Sequence, residues 1–172
     1  MVHLGPLPGS PRFDGKLDPI VAAALLDGRR LADAGFDALL VENFGDAPFF
    51  AEDVPKATVA AMTRIVAAVA ESVDLPVGVN VLRNDTLAAI AVATASGASF
   101  IRANVLSGTM YTDQGPITGR AAEVARLRAA INPGLEVLAD VFVKHAVPPP
   151  GLTLEQAAQD LWGRAGADGI VV

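Results

Sequence analysis

Residues 34–42 read AGFDALLVE, residues 96–104 read SGASFIRAN and residues 165–172 read AGADGIVV. The three stretches share one grammar: a helix end, a glycine, a small or aromatic residue, a polar residue, then an apolar strand. The strands between them are entered differently, after DLP (74–76) or through NPGLE (132–136). The repeating unit is therefore one strand followed by one helix, with odd and even units built differently.

Working outward, the same alternation runs along the whole chain. Strands are expected at MVHL (1–4), DALLVEN (37–43), PVGVNVL (76–82), FIRANV (100–105), EVLADVFVK (136–144) and DGIVV (168–172). Apolar residues recur at helical spacing in PIVAAALLDGRRLADAG (19–35), with Asp18 as N-cap, Pro19 at the first helical position and Gly35 as the stop. A helix over KATVAAMTRIVAAVAESV (56–73) follows Pro55. DTLAAIAVATASG (85–97) reads as a helix capped by Asn84 and stopped at Gly97. A fourth helix covers GRAAEVARLRAAI and starts near Thr118. The fifth opens with a capping box, Thr153 with Gln156. AVPPPG (146–151) reads as a strand-to-helix loop. The strands are continuous Val/Leu/Ile runs without clean alternation, which predicts a parallel sheet covered by helices on both faces.

Composition narrows the class. The chain has 172 residues and 52% hydrophobic content, with mean hydropathy +0.42. No apolar run reaches the ~18 residues of a membrane span, and no basic segment leads into an apolar one at the start, so neither a transmembrane segment nor a signal peptide is expected. Cysteine is absent, which excludes disulfides and thiolate metal sites and fits a cytoplasmic chain. A net charge of −6 argues against nucleic acid as a general partner.

Two architectures fit the alternation. A doubly wound sheet suits the length, whereas a (β/α)8 barrel typically needs ~250 residues. The polar residues decide between them. His3, Glu42, Asn43, Asn80, Arg102, Asn104, Asp140 and Lys144 fall in or just after successive strands. In a barrel all of these converge on one mouth; an open sheet gathers its ligand residues at one switch point. The expected fold is thus α/β, a parallel TIM-type barrel. It is incomplete, with about five βα units and a sixth strand in one partial domain over residues 1–172.

Each candidate has a chemical and a structural reading. Glu42 and Asp140 could act as general acid and base, or pair with Arg102 or Lys144 as buried ions. Lys144, on the Asp140 face of a strand, could bind phosphate, form an imine or bridge to a carboxylate. His145, of opposite parity, is expected to point into the helical layer. His3 is a candidate base or a histidine satisfied by backbone. Arg102 and Asn104 share a strand face, and Arg102 suits a phosphate, a carboxylate or an internal counter-ion. Asn43 and Asn80 could orient hydroxyls or cap strand ends. No HxH, HExxH or DxD spacing supports a metal, and no cofactor is implied. The loop LSGTMYTDQG (106–115) suits a mobile flap closing on a polyhydroxylated ligand or a rigid plug. Ser107, Tyr111 and Asp113 are its contact candidates.

Five segments carry a resemblance: MVHLGPLPGSP (1–11), ALLVENFGDAPF (38–49), PVGVNVLRND (76–85), IRANVLSGTMYTDQG (101–115) and ADVFVKHA (139–146). Together they resemble the BtpA/SgcQ family, whose fold is regarded as a TIM barrel close to the ribulose-phosphate-binding barrels. The resemblance implies a barrel with two further βα units and a glycine-rich phosphate cradle after strands seven and eight, so the chain reads as a fragment. It also implies one of two roles. The first is acid–base enzymology on a small phosphorylated sugar or nucleoside-like substrate. The second is a non-catalytic biogenesis factor of the photosystem I type, with peripheral membrane association. Apolar inner surface at the first and sixth strands would favour a homo-oligomer.

Overall fold

Six strands run parallel in a computed structural model that describes residues 1–172. They are β1 (Val2–His3), β2 (Leu39–Glu42), β3 (Val77–Asn80), β4 (Phe100–Ala103), β7 (Glu136–Asp140) and β9 (Gly169–Val171). The sheet order β1-β2-β3-β4-β7-β9 follows the chain without reversal. A doubly wound sheet reverses its order at a switch point; this one advances in one direction, as a barrel does. The sheet has two edges, β1 and β9.

Five helices return the chain between these strands: α1 (Asp18–Asp33), α2 (Lys56–Ser72), α3 (Thr86–Ser96), α4 (Ala121–Ile131) and α5 (Leu154–Gly163). α1 packs on α2, α2 on α3 and α3 on α4, in one row. The helices therefore cover one face of the sheet, and the expectation of helices on both faces is corrected. Strand residues facing them (Val41, Val79, Ile101, Val137) are buried. α2 answers with Thr58, Ala61, Met62, Ile65, Val66 and Val69, a stripe at helical spacing. Along the other face, Leu40 and Leu138 are only partly buried. Leucines on both faces explain why the strands lack alternation, and the polar residues of this second face are confined to the strand ends.

Packing at Gly78 and Gly119 shows where side chains are not tolerated. A Cβ on Gly78 would overlap the Phe100 ring, and one on Gly119 would meet the Leu106 backbone.

Several local expectations are corrected. Asp18 is the first residue of α1, not its N-cap, and its carboxylate pairs with Arg64 at 2.7 Å. Asp85 caps α3 by accepting from Ala88 N–H at 2.9 Å. Asn84 instead joins two loops, accepting from Val105 N–H and donating to Val105 C=O. α4 begins at Ala121, because the residues before it form a hairpin, β5 (Thr109–Thr112) with β6 (Gly115–Thr118). The segment expected as a plain loop contributes β8 (Ala146–Val147), which pairs with β5. The capping box on α5 is present as expected.

Candidate active site

The ends of β1, β2 and β3 are in register, with His3 beside Glu42 and Glu42 beside Asn80. Parity puts all three side chains in one row on the inner face. Asn80 Nδ2 donates to Glu42 Oε2 at 2.7 Å, and His3 Nε2 lies 3.6 Å from Glu42 Oε1. The Glu42 side chain is 8% exposed and that of His3 48%, so the carboxylate is buried beside a solvent-facing imidazole. The His3 ring stacks on Phe44 with centroids 4.5 Å apart.

A second row starts at β4. Arg102 grips Asp140 in a two-point pair, Nε to Oδ1 at 2.7 Å and Nη2 to Oδ2 at 2.9 Å. Asn104 Nδ2 adds a third donor to Asp140 Oδ2 at 3.0 Å. The hydrogen bonds to Asp140 hold the Arg102 guanidinium above its usual pKa. Of the alternatives open for Arg102 and Asp140, mutual pairing is the geometry found. The Oδ1 atom of Asn104 is buried without a hydrogen-bond partner.

Between the rows lies a cleft of about 610 Å³, lined by His3, Glu42, Arg102, Asn104, Asp113 and Lys144 among others. Met110 and Ile117 of the hairpin are buried with Val105 and Val143 in a small apolar cluster over the strand ends. The hairpin is thereby seated as a small sheet, with Asp113 at its turn and in the cleft lining.

Five residues sit elsewhere than the sequence pattern suggests. β7 ends at Asp140, so Lys144 stands in a turn, exposed at the cleft without a carboxylate partner. His145 has φ of 58° and lines the cleft beside Lys144; it does not enter the helical layer, because strand parity ends with the strand. Asn43 is consumed in the loops: its Oδ1 accepts from Leu82 N–H at 2.7 Å and its Nδ2 donates to Asp46 at 3.0 Å. It borders a separate pocket of about 300 Å³. Ser107 borders a third cavity, of about 360 Å³, outside the cleft. Tyr111 is 50% exposed on the hairpin and lines none of these three cavities.

Strand reading missed Arg83, which follows β3 by three residues and lines the cleft while 8% exposed. Burial pulls its guanidinium below its usual pKa, partly offset by Asp113, Asp140 and Glu42. The signal was an arginine inside the apolar run VGVNVL–R–N, just beyond a strand end. No group of three histidine, aspartate or glutamate side chains is placed to hold a metal ion.

A profile of the BtpA family matches residues 1–172. The chain belongs to the BtpA family. An uncharacterized protein of Thermococcus kodakarensis is 51% identical over all of this chain and 65% of its own length. The photosystem I biogenesis protein BtpA of Synechocystis is 47% identical over all of this chain and 60% of its own. The chain thus spans just under two thirds of the curated relatives it matches. Among solved structures, an N-acetylmannosamine-6-phosphate 2-epimerase from Clostridium perfringens superposes with TM-score 0.52 and 13% identity, covering 98% of this chain and 58% of that one. It is a TIM-barrel enzyme, and at that identity the likeness speaks for fold alone.

Proposed function

We propose that these BtpA-family residues form the larger part of a TIM barrel completed by further βα units, and that the cleft is an active site. The substrate is a small phosphorylated sugar or nucleoside-like molecule, and the chemistry is acid–base. Glu42 carries this reading. Its carboxylate is desolvated, oriented by Asn80 and adjacent to the solvent-facing imidazole of His3. That arrangement suits a base that takes a proton from substrate and passes it to solvent through the imidazole. Asp140, with three donors already on it, holds Arg102 and Asn104 in place and is the positioning member of the site. Lys144 and Asp113 reach the ligand from the rim.

The test is a thermal-shift screen of phosphorylated metabolites on the full-length protein, followed by turnover of the hits. Turnover that survives unchanged in Glu42→Gln would remove the catalytic role.

A second reading, a non-catalytic assembly factor with the barrel as binding module, is supported by the name of the Synechocystis relative. Under it, Glu42→Ala and Lys144→Ala leave partner capture intact. No helix of these residues is long and apolar enough to cross a membrane.

A further inference from the structure

The two arginines of the cleft are in opposite states. Arg102 is matched by Asp140 through two hydrogen bonds. Arg83 has no carboxylate within 4 Å, and its one side-chain hydrogen bond is from Nη2 to the Lys144 carbonyl. A guanidinium has five N–H donors in a planar fork. Here Nε and Nη1 make no bond within the protein, yet neither is sealed from solvent. A cation this buried is costly unless something pairs with it. The nearest protein charges do not supply that partner: Asp113, Asp140 and Glu42 act on it only at a distance. Two further nitrogen-bearing side chains, Lys144 and His145, line the same cleft, and Lys144 forms no ion pair. Asp113 and Glu42 line the same cleft, but neither comes close enough to Arg83 to form an ion pair.

We propose that Arg83, with Lys144 and His145 beside it, is an anion subsite that receives a phosphate or carboxylate group of the ligand. The guanidinium donates to one oxygen of the anion through Nε or Nη1, the groups left free by its bond to the Lys144 carbonyl, and Lys144 closes over a second oxygen as a mobile point charge. The Lys144 carbonyl, bonded to Arg83, ties the fork to the turn that carries Lys144 and His145, so the three groups are positioned together. This end lies apart from the Glu42–Asn80 row, which leaves the anion as a handle and the reacting carbon at Glu42. The proposal rests on the cleft being the ligand site proposed above. It adds Arg83 to Arg102 and Lys144, the anion candidates of the strand pattern, and leaves Arg102 to its pairing with Asp140.

The experiment uses full-length protein and two probes, inorganic phosphate followed by ³¹P line broadening and ¹³C-labelled acetate followed by ¹³C line broadening. Saturable binding of either probe is expected, weakening with salt. The probe that binds identifies phosphate or carboxylate as the preferred group. Arg83→Gln should weaken it about tenfold or more, the usual effect of losing a charge-assisted contact. Lys144→Gln, at an exposed position, should weaken it by a smaller factor, and Arg83→Lys should restore part of the loss. Glu42→Gln should keep anion binding, or tighten it by removing a negative charge from the same cleft, while lowering turnover strongly, so failure of the catalytic reading and failure of the subsite give different results. Absence of saturable binding for both probes overturns the proposal. So does unchanged binding in a folded Arg83→Gln protein, or in Lys144→Gln together with Arg83→Lys should the glutamine variant not fold.

Discussion

Glu42 and Asp140 are both buried carboxylates at strand ends, and their neighbours separate them. Glu42 has one amide donor and an imidazole at 3.6 Å; Asp140 has a guanidinium on both oxygens. Glu42→Gln should therefore lower kcat by about 10²–10⁴, the usual worth of a general acid or base, with little change in stability. Asp140→Ala should cost about 3 kcal/mol of stability, near the lower end for a broken buried pair because the Arg102 side chain is 20% exposed. Urea unfolding beside steady-state kinetics checks both, and equal effects on both observables would contradict the division of labour. Glu52 supplies a pH dependence. Burial raises its pKa above the ordinary 4.5, against the lowering effect of the nearby Arg120. The folded state therefore holds the proton more tightly than the unfolded state. Stability from this group is complete below pH 4.5 and is lost as pH rises through the raised folded-state value. Compared with Glu52→Gln, the native protein should lose stability as pH climbs from 4.5 and then level off. A difference growing in favour of the native glutamate would contradict the burial argument.

At the scale of elements, loop ends are tied by single side chains that serve two partners. Asp85 caps α3 through Oδ1 and accepts Val54 N–H through Oδ2 at 2.9 Å. Asp85→Ala should cost about 2–4 kcal/mol, a lost cap plus an unsatisfied N–H. Thr153→Ala in the exposed box of α5 should cost about 1 kcal/mol. The same denaturation series reads both, and the ratio between them is the informative quantity. The hairpin depends on Gly119, whose N–H donates to Gly108 C=O at 2.8 Å and whose missing Cβ leaves room for Leu106. Gly119→Ala should displace the hairpin, carry Asp113 away from the cleft and weaken ligand binding while the six-stranded sheet persists. Amide exchange should then rise at 109–118 and stay unchanged at 77–80.

For the molecule as a whole, the sheet advances through six parallel strands and leaves β1 and β9 unpaired at its edges. Its inner face carries Leu40, Leu138 and Val171, each only partly buried. Residues 1–172 produced alone should therefore bind ANS or self-associate, whereas a full-length relative should not. They should also bind small anions more weakly than the full-length protein, since a more open cleft leaves Arg83 better hydrated. A cooperative monomer without ANS binding would show that the edges are tolerated as they stand.

Sequence alone determined the βα repeat, the location of all six parallel strands and five helices, and the gathering of His3, Glu42, Arg102 and Asn104 in one cleft, with Asn80 and Asp140 bonded to members of it. These follow from local rules: apolar runs, helix stops such as Gly97, and strand parity, which sends alternate residues to one face. The family was legible too, because its motifs are contiguous. Tertiary structure decided what parity could not reach. β7 ends at Asp140, which frees Lys144 and turns His145 into the cleft. Asn43 is spent on Leu82 and Asp46, partners that are distant in sequence or lie in a loop without periodicity. The polar stretch after β4 pairs with itself and with β8, a long-range contact no local pattern announces. The pairing of Arg102 with a carboxylate and the lack of one for Arg83 depend on which side chains meet in space. Charge balance in a cleft is a property of distances in space, and one-dimensional spacing does not contain it.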